Sequence, residues 1–150
     1  MNRRNMFEAL GGMEGVLRLA HAWHERVLAD QVVSHAFSHG FHPRHTERLA
    51  AYWSEAWGGP PTYTQTYGTE SSVVRMHSGN GEHEEMDQRA IGCFETAMKD
   101  VDIRDPELWD ALLEYFVWAT TKSMAAYPDS TKDVPHDLRL PHWSWDGLQD

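Results

Sequence analysis

The chain has a single cysteine, Cys93, among 150 residues. It therefore holds no internal disulfide and no cysteine-rich zinc motif, and any metal must be bound by histidine, carboxylate or a cofactor. One thiol fits a reducing cytoplasm, which is the expected location. No run of about 18 apolar residues occurs, and the two arginines before Phe7 are followed by no apolar segment, so neither a membrane partner nor a secretion signal is expected. Basic residues are few: 13 Lys and Arg stand against 23 Asp and Glu, a formal charge of -10. Without a basic stripe to displace phosphate counterions, a nucleic-acid partner is excluded. Alternating strand patterns are also missing, and with them an Asn-Gly hairpin turn between two such runs, which leaves an all-α class.

What is present is apolar and aromatic. Hydrophobic residues make up 41% and aromatic residues 11%, with seven tryptophans, enough to face a core or a flat apolar ligand. The length suits one domain, 1–127, followed by a tail, 128–150. Helical periodicity predicts a helix over 13–28, after Gly11 and Gly12, with Val16, Leu19, Ala20, Trp23 and Val27 on one face. An irregular helical segment follows over 31–39. The next helix spans 43–57 and ends at Gly58-Gly59-Pro60-Pro61. Segment 62–81 reads as a long loop, because Val73, Val74 and Met76 are too few to sustain a helix. Another helix begins near Glu82 and runs to Val101, and Asp105-Pro106-Glu107 opens the last, ending near Ala126. In the tail, Trp143 and Trp145 would be costly to leave in water, so it packs on the domain or at a subunit contact in a homodimer.

Ten histidines include three pairs spaced for one helical face: His21 with His24, His35 with His39, and His42 with His45. Such pairs can chelate zinc, so a helical protein with a histidine metal site stays open beside the plainer reading of solvated histidines. HExxH is absent. His77 lies in the long loop, directly ahead of a helix, where a histidine is either solvated or a ligand.

Trp57-Gly58-Gly59-Pro60, then Thr62-Tyr63, then Arg75-Met76-His77, together with the opening Phe7-Glu8-Ala9-Leu10-Gly11-Gly12, resemble the group II truncated hemoglobins over roughly 7–127. The resemblance implies a two-over-two helical sandwich around heme b (iron protoporphyrin IX), with a loop replacing a full proximal helix and His77 as the proximal iron ligand. It makes Leu49, Trp53, Met76, Phe94 and Phe116 candidates for the porphyrin slot, and Arg48, Tyr63 and Arg75 candidates for the propionates. Plain core and plain surface remain the other readings of those residues. On the distal side the match places His24 where the family carries a tyrosine, Phe37 beside the heme, His45 at the gate, and Ala90 where the family has a tryptophan. Both usual hydrogen-bonding groups are thus replaced, and the smaller Ala90 suggests a wider distal cavity.

The implied function is binding, and transport, of a diatomic gas, O2, NO or CO. Turnover of nitric oxide or peroxide, as a dioxygenase or in a peroxidase-like reaction, would need an external reductase, because no flavin or nicotinamide fingerprint is present. A heme redox or gas sensor with bis-histidine iron through His24 or His45 is the alternative, and a non-heme helical protein with a histidine metal site is the third class.

Overall fold

The computed structural model describes residues 4–149 except 38, 39, 41, 42, 80 and 82, and of Ala36 the backbone alone. Six helices carry the fold: α1 (Met6–Ala9), α2 (Gly12–Ala29), α3 (His45–Ala56), α4 (Glu70–Met76), α5 (Glu84–Asp100) and α6 (Pro106–Trp118), with a 3-10 turn at Val33–Phe37. α2 packs on α3 and on α5, and α5 packs on α6. This pairing brings the apolar stripes of four amphipathic helices to one interior.

α1 is four residues long and holds its shape through a reciprocal cap: Asn5 Oδ1 accepts the Glu8 N–H at 2.8 Å and Glu8 Oε1 accepts the Asn5 N–H at 3.2 Å. It docks on the end of α3, where the Phe7 N–H reaches the Trp57 carbonyl at 3.1 Å and Asn5 Nδ2 reaches the Gly58 carbonyl at 3.0 Å. Gly58 sits at φ 100, and a Cβ on Gly59 would stand 2.8 Å from both the Ser54 carbonyl and the Phe7 ring. The glycine pair is therefore required by a left-handed turn and by close approach.

Along α2, Val16, Leu19, Ala20, His24 and Val27 form one buried row. In α3 every residue from Ala50 to Ala56 is buried, which marks a helix covered on all sides. Asp105 caps α6 through the Glu107 N–H at 3.0 Å, and a wide turn over Ala119–Ser123 prolongs it. The interior is aromatic. Phe94 stacks on Phe116 at 4.2 Å, Trp53 stacks on Trp57 at 5.4 Å, and Trp23 meets both Trp53 and Phe116 edge-on. Cys93 lies beside them as a buried free thiol.

Two expectations are corrected. Segment 62–81 is not a plain loop, because it contains a wide turn at Tyr63–Tyr67 and the seven-residue α4. So short a helix is unstable alone; here Thr69 and Ser72 cap each other's backbone, and Glu70, Ser71, Val73 and Val74 are buried against the rest of the chain. The tail, in turn, is not strand-free. His142–Ser144 and Gly147–Gln149 form an antiparallel hairpin with Ser144 opposite Gly147. The signal was Asp146-Gly147, with Gly147 at φ 99 closing the turn. The hairpin lies against α6, where Trp143 meets Tyr115 at 5.8 Å and Trp118 at 5.4 Å. The Trp145 indole N–H donates to the Arg4 carbonyl at 2.8 Å.

Candidate functional site

His77 is the residue that closes α4, so it stands at a helix end rather than in a free loop. Its Nδ1 lies 2.8 Å from the Val73 carbonyl. A carbonyl can only accept, so Nδ1 carries the proton and Nε2 keeps its lone pair for a metal or another donor. Burial pushes the imidazole's pKa down, with the Val73 bond opposing, and the nearby His83 and Asp87 adding smaller opposed contributions. Yet the residue retains a large accessible surface. His83 Nδ1 and Asp87 Oδ1, 2.8 Å apart, form a pair near His77 that sequence reading missed.

Three rings from three elements meet elsewhere in the interior. His24 on α2 lies 5.5 Å from Phe37 at the end of the 3-10 turn and 4.9 Å from His45, the first residue of α3, and Phe37 and His45 are 5.2 Å apart. The structure thus brings together three of the residues expected on one side of the heme. Burial, then the charge of His21, lower the pKa of His24, with Glu25 opposing, so its imidazole is neutral at pH 7. Leu49, one helical turn beyond His45, is half-buried against the core.

Ala90 is buried. Its carbonyl accepts the Trp23 indole N–H at 3.1 Å, and that indole lies between Trp53 and Phe116. A tryptophan supplied from α2 thus lies against the Ala90 backbone, a contact that spacing along the chain cannot reveal. Trp53 and Phe94, 4% and 0% exposed, are sealed in the aromatic stack rather than lining an open slot. Met76, in contrast, is exposed.

The candidate anion-binding residues separate into two groups. Arg48 lies over the Tyr67 ring at 5.2 Å, and its Nε is buried without a hydrogen-bond partner. Tyr63 packs on Tyr52 and Tyr67; burial raises its hydroxyl pKa, with Arg48 acting the other way. Arg75 instead points to the tail, its Nη2 2.7 Å from His136 Nδ1. Of the three histidine pairs, His39 and His42 lie outside the described residues. Among the described residues, no group of three or more His, Cys, Asp or Glu could hold a metal ion, and no helix is long and apolar enough to cross a membrane.

Sequence reading also missed a buried polar seam, made by Tyr52 and Glu55 on α3, Glu70 on α4 and Tyr115 on α6. The Tyr52 hydroxyl donates to Glu70 Oε1 at 2.6 Å. Glu55 accepts from both the backbone N–H and the hydroxyl of Thr64. Only Thr69 before Glu70, a cap signal, hinted at any of this.

Residues 5–124 match the model of the family described as bacterial-like globin. No curated protein sequence matches the chain. Among solved structures, it is similar to a thermostable hemoglobin from Thermobifida fusca (29% identity, 81% of this chain and 96% of that one, TM-score 0.67). It also resembles in fold the group II truncated hemoglobin from Bacillus anthracis (19% identity, 89% and 100% covered, TM-score 0.74) and the truncated oxygen-avid haemoglobin from Bacillus subtilis (19% identity, 79% and 97% covered, TM-score 0.67). A group II assignment is consistent with these likenesses. The residues present fit a heme: His77 offers an unprotonated Nε2, and the orphaned Arg48 Nε is a buried donor suited to a propionate.

Proposed function

Because the chain belongs to the bacterial-like globin family, we propose that it holds heme b through His77 and binds a diatomic gas, O2, NO or CO, on the side where His24, Phe37 and His45 meet. The observation that carries this is the His77–Val73 bond, which leaves Nε2 as an electron-pair donor on a residue that keeps a large accessible surface. Bound heme supplies an iron with a coordination position for a small ligand. The chain's residues do the rest. The Val73 carbonyl fixes the tautomer and angle of His77. Arg48, with Tyr63 and Tyr67 beside it, neutralises a propionate. His24, kept neutral by burial, offers one N–H to a partly anionic ligand, an interaction of about 1.5–3 kcal/mol. Phe37 and Leu49 keep water away from it. This arrangement supports reversible gas binding, and oxidative turnover would draw electrons from a separate reductase.

The close pairing of His24 and His45 favours a second reading, in which one of them is the sixth iron ligand and the protein senses gas or redox state. Visible spectra of the ferric and dithionite-reduced protein separate the two. For wild type, high-spin ferric bands and a five-coordinate ferrous form are expected. His77→Ala should lose or strongly shift the Soret band, and His24→Ala should speed O2 release roughly 10- to 100-fold, as loss of such a bond implies. Sharp low-spin bands abolished by His24→Ala or His45→Ala would select bis-histidine iron. Unchanged coordination in His77→Ala would overturn the assignment.

A further inference from the structure

Beside α4, an open cavity of about 440 Å³ lies between α4, the end of α6 and the tail, lined by Val74, Trp118 and Leu138 with Arg139 and His142 on the tail side. Glu70, the first residue of α4, belongs to its wall although only 4% of the residue is exposed. One carboxylate oxygen accepts the Tyr52 hydroxyl. Among the described residues, the other takes no hydrogen bond and no Lys, Arg or His pairs with Glu70.

The surroundings deepen the imbalance. α3 presents Tyr52 and Glu55, the wide turn presents Tyr63, and α6 presents Tyr115, all interacting electrostatically with Glu70 or bonded to it. These are phenols and a second carboxylate. The cationic candidates, Arg139 and His142, are exposed residues of the tail. A buried carboxylate without a cation is strongly unfavourable in its charged form. Burial accordingly raises Glu70 to about 7, with the Tyr52 bond opposing and Glu55 adding to the rise.

We propose that this cavity is a binding site for a small organic ammonium ion, with its charged end on the Glu70 carboxylate and its apolar body against Trp118 and Leu138. The ligand supplies the countercharge that the chain does not. An indole beside the cavity favours a cation further, and the apolar wall takes the hydrocarbon part. The volume falls within the roughly 300–1,000 Å³ common for small-molecule sites. An anion would meet Glu70 inside and find its partners only among exposed groups.

The test is calorimetric titration of the full-length chain with 2-phenylethylamine, using 2-phenylethanol and 3-phenylpropionate as neutral and anionic probes. The amine should bind about tenfold tighter at pH 8 than at pH 6, because the ionised fraction of a group near pH 7 rises from about a tenth to nine-tenths. The alcohol and the acid should bind at least tenfold more weakly than the amine. Glu70→Gln keeps an acceptor for Tyr52 and should weaken the amine at least tenfold. Ala126→Phe places bulk in the cavity wall without touching Glu70 and should abolish binding, which keeps the test decisive if the first variant folds poorly by far-ultraviolet circular dichroism. Amine binding no tighter than that of the alcohol, tighter binding of the acid, or unchanged affinity in either folded variant overturns the proposal.

Discussion

α3 buries two sides against opposite chemistries. On one, Trp53 and Trp57 join Trp23, Phe94 and Phe116 in a sealed aromatic stack. On the other, Tyr52 and Glu55 meet Glu70, Tyr63 and Thr64. Both sides are largely buried, and yet they are held by different forces. The stack is stabilised by the area and shape it removes from water, which no proton changes. The seam depends on whether Glu70 is protonated, so its contribution varies with pH.

The sharpest way to break this contrast is Phe94→Ala. Removing a ring with no exposed surface should cost about 3–5 kcal/mol, and by the same amount at pH 5 and pH 8 in urea denaturation. A loss that changed with pH would tie the stack to the seam. Glu70→Gln should behave in the opposite sense. Since Glu70 is raised to about 7 from 4.5, the folded state holds its proton more tightly than the unfolded chain. Wild-type stability then falls as pH climbs between those values and levels off above them. The glutamine variant lacks this fall, so its stability relative to wild type should improve from pH 4 to pH 8 by on the order of 3 kcal/mol. Parallel pH profiles for the two proteins would mean that Glu70 ionises normally. Trp23→Phe probes the smallest term: it keeps an aromatic ring but deletes the N–H that reaches the Ala90 carbonyl. About 1 kcal/mol should be lost, independent of pH, in the same denaturation assay.

The aromatic side was the legible one. Trp53 and Trp57 stand one turn apart, and the rows along α2, α5 and α6 follow the same period, so four helices and much of their core could be read from spacing. α4 could not, because a seven-residue helix with few apolar positions owes its existence to reciprocal caps and to contacts made by distant residues. Glu55 and Glu70 were equally hidden, since a carboxylate along a chain reads as surface until its neighbours in space are known. At the candidate site, His77, His24, Phe37 and His45 were named from a resemblance, and the structure gathers the last three into one cluster. The position of Trp23 over Ala90 required the fold itself.

The tail sets a schedule for the helix that carries His77. The Leu138 N–H donates to Ser71 Oγ at 3.0 Å, 67 residues away in sequence, Arg75 reaches His136, and the N–H groups of Gly79 and Gly81 close on the carbonyls of Tyr127 and Pro128. At 5–20 residues per second on a ribosome, α4 waits roughly 3–13 s for the partners that fasten it. The segment that carries His77 therefore gains its tail contacts only after the helices around it have been made.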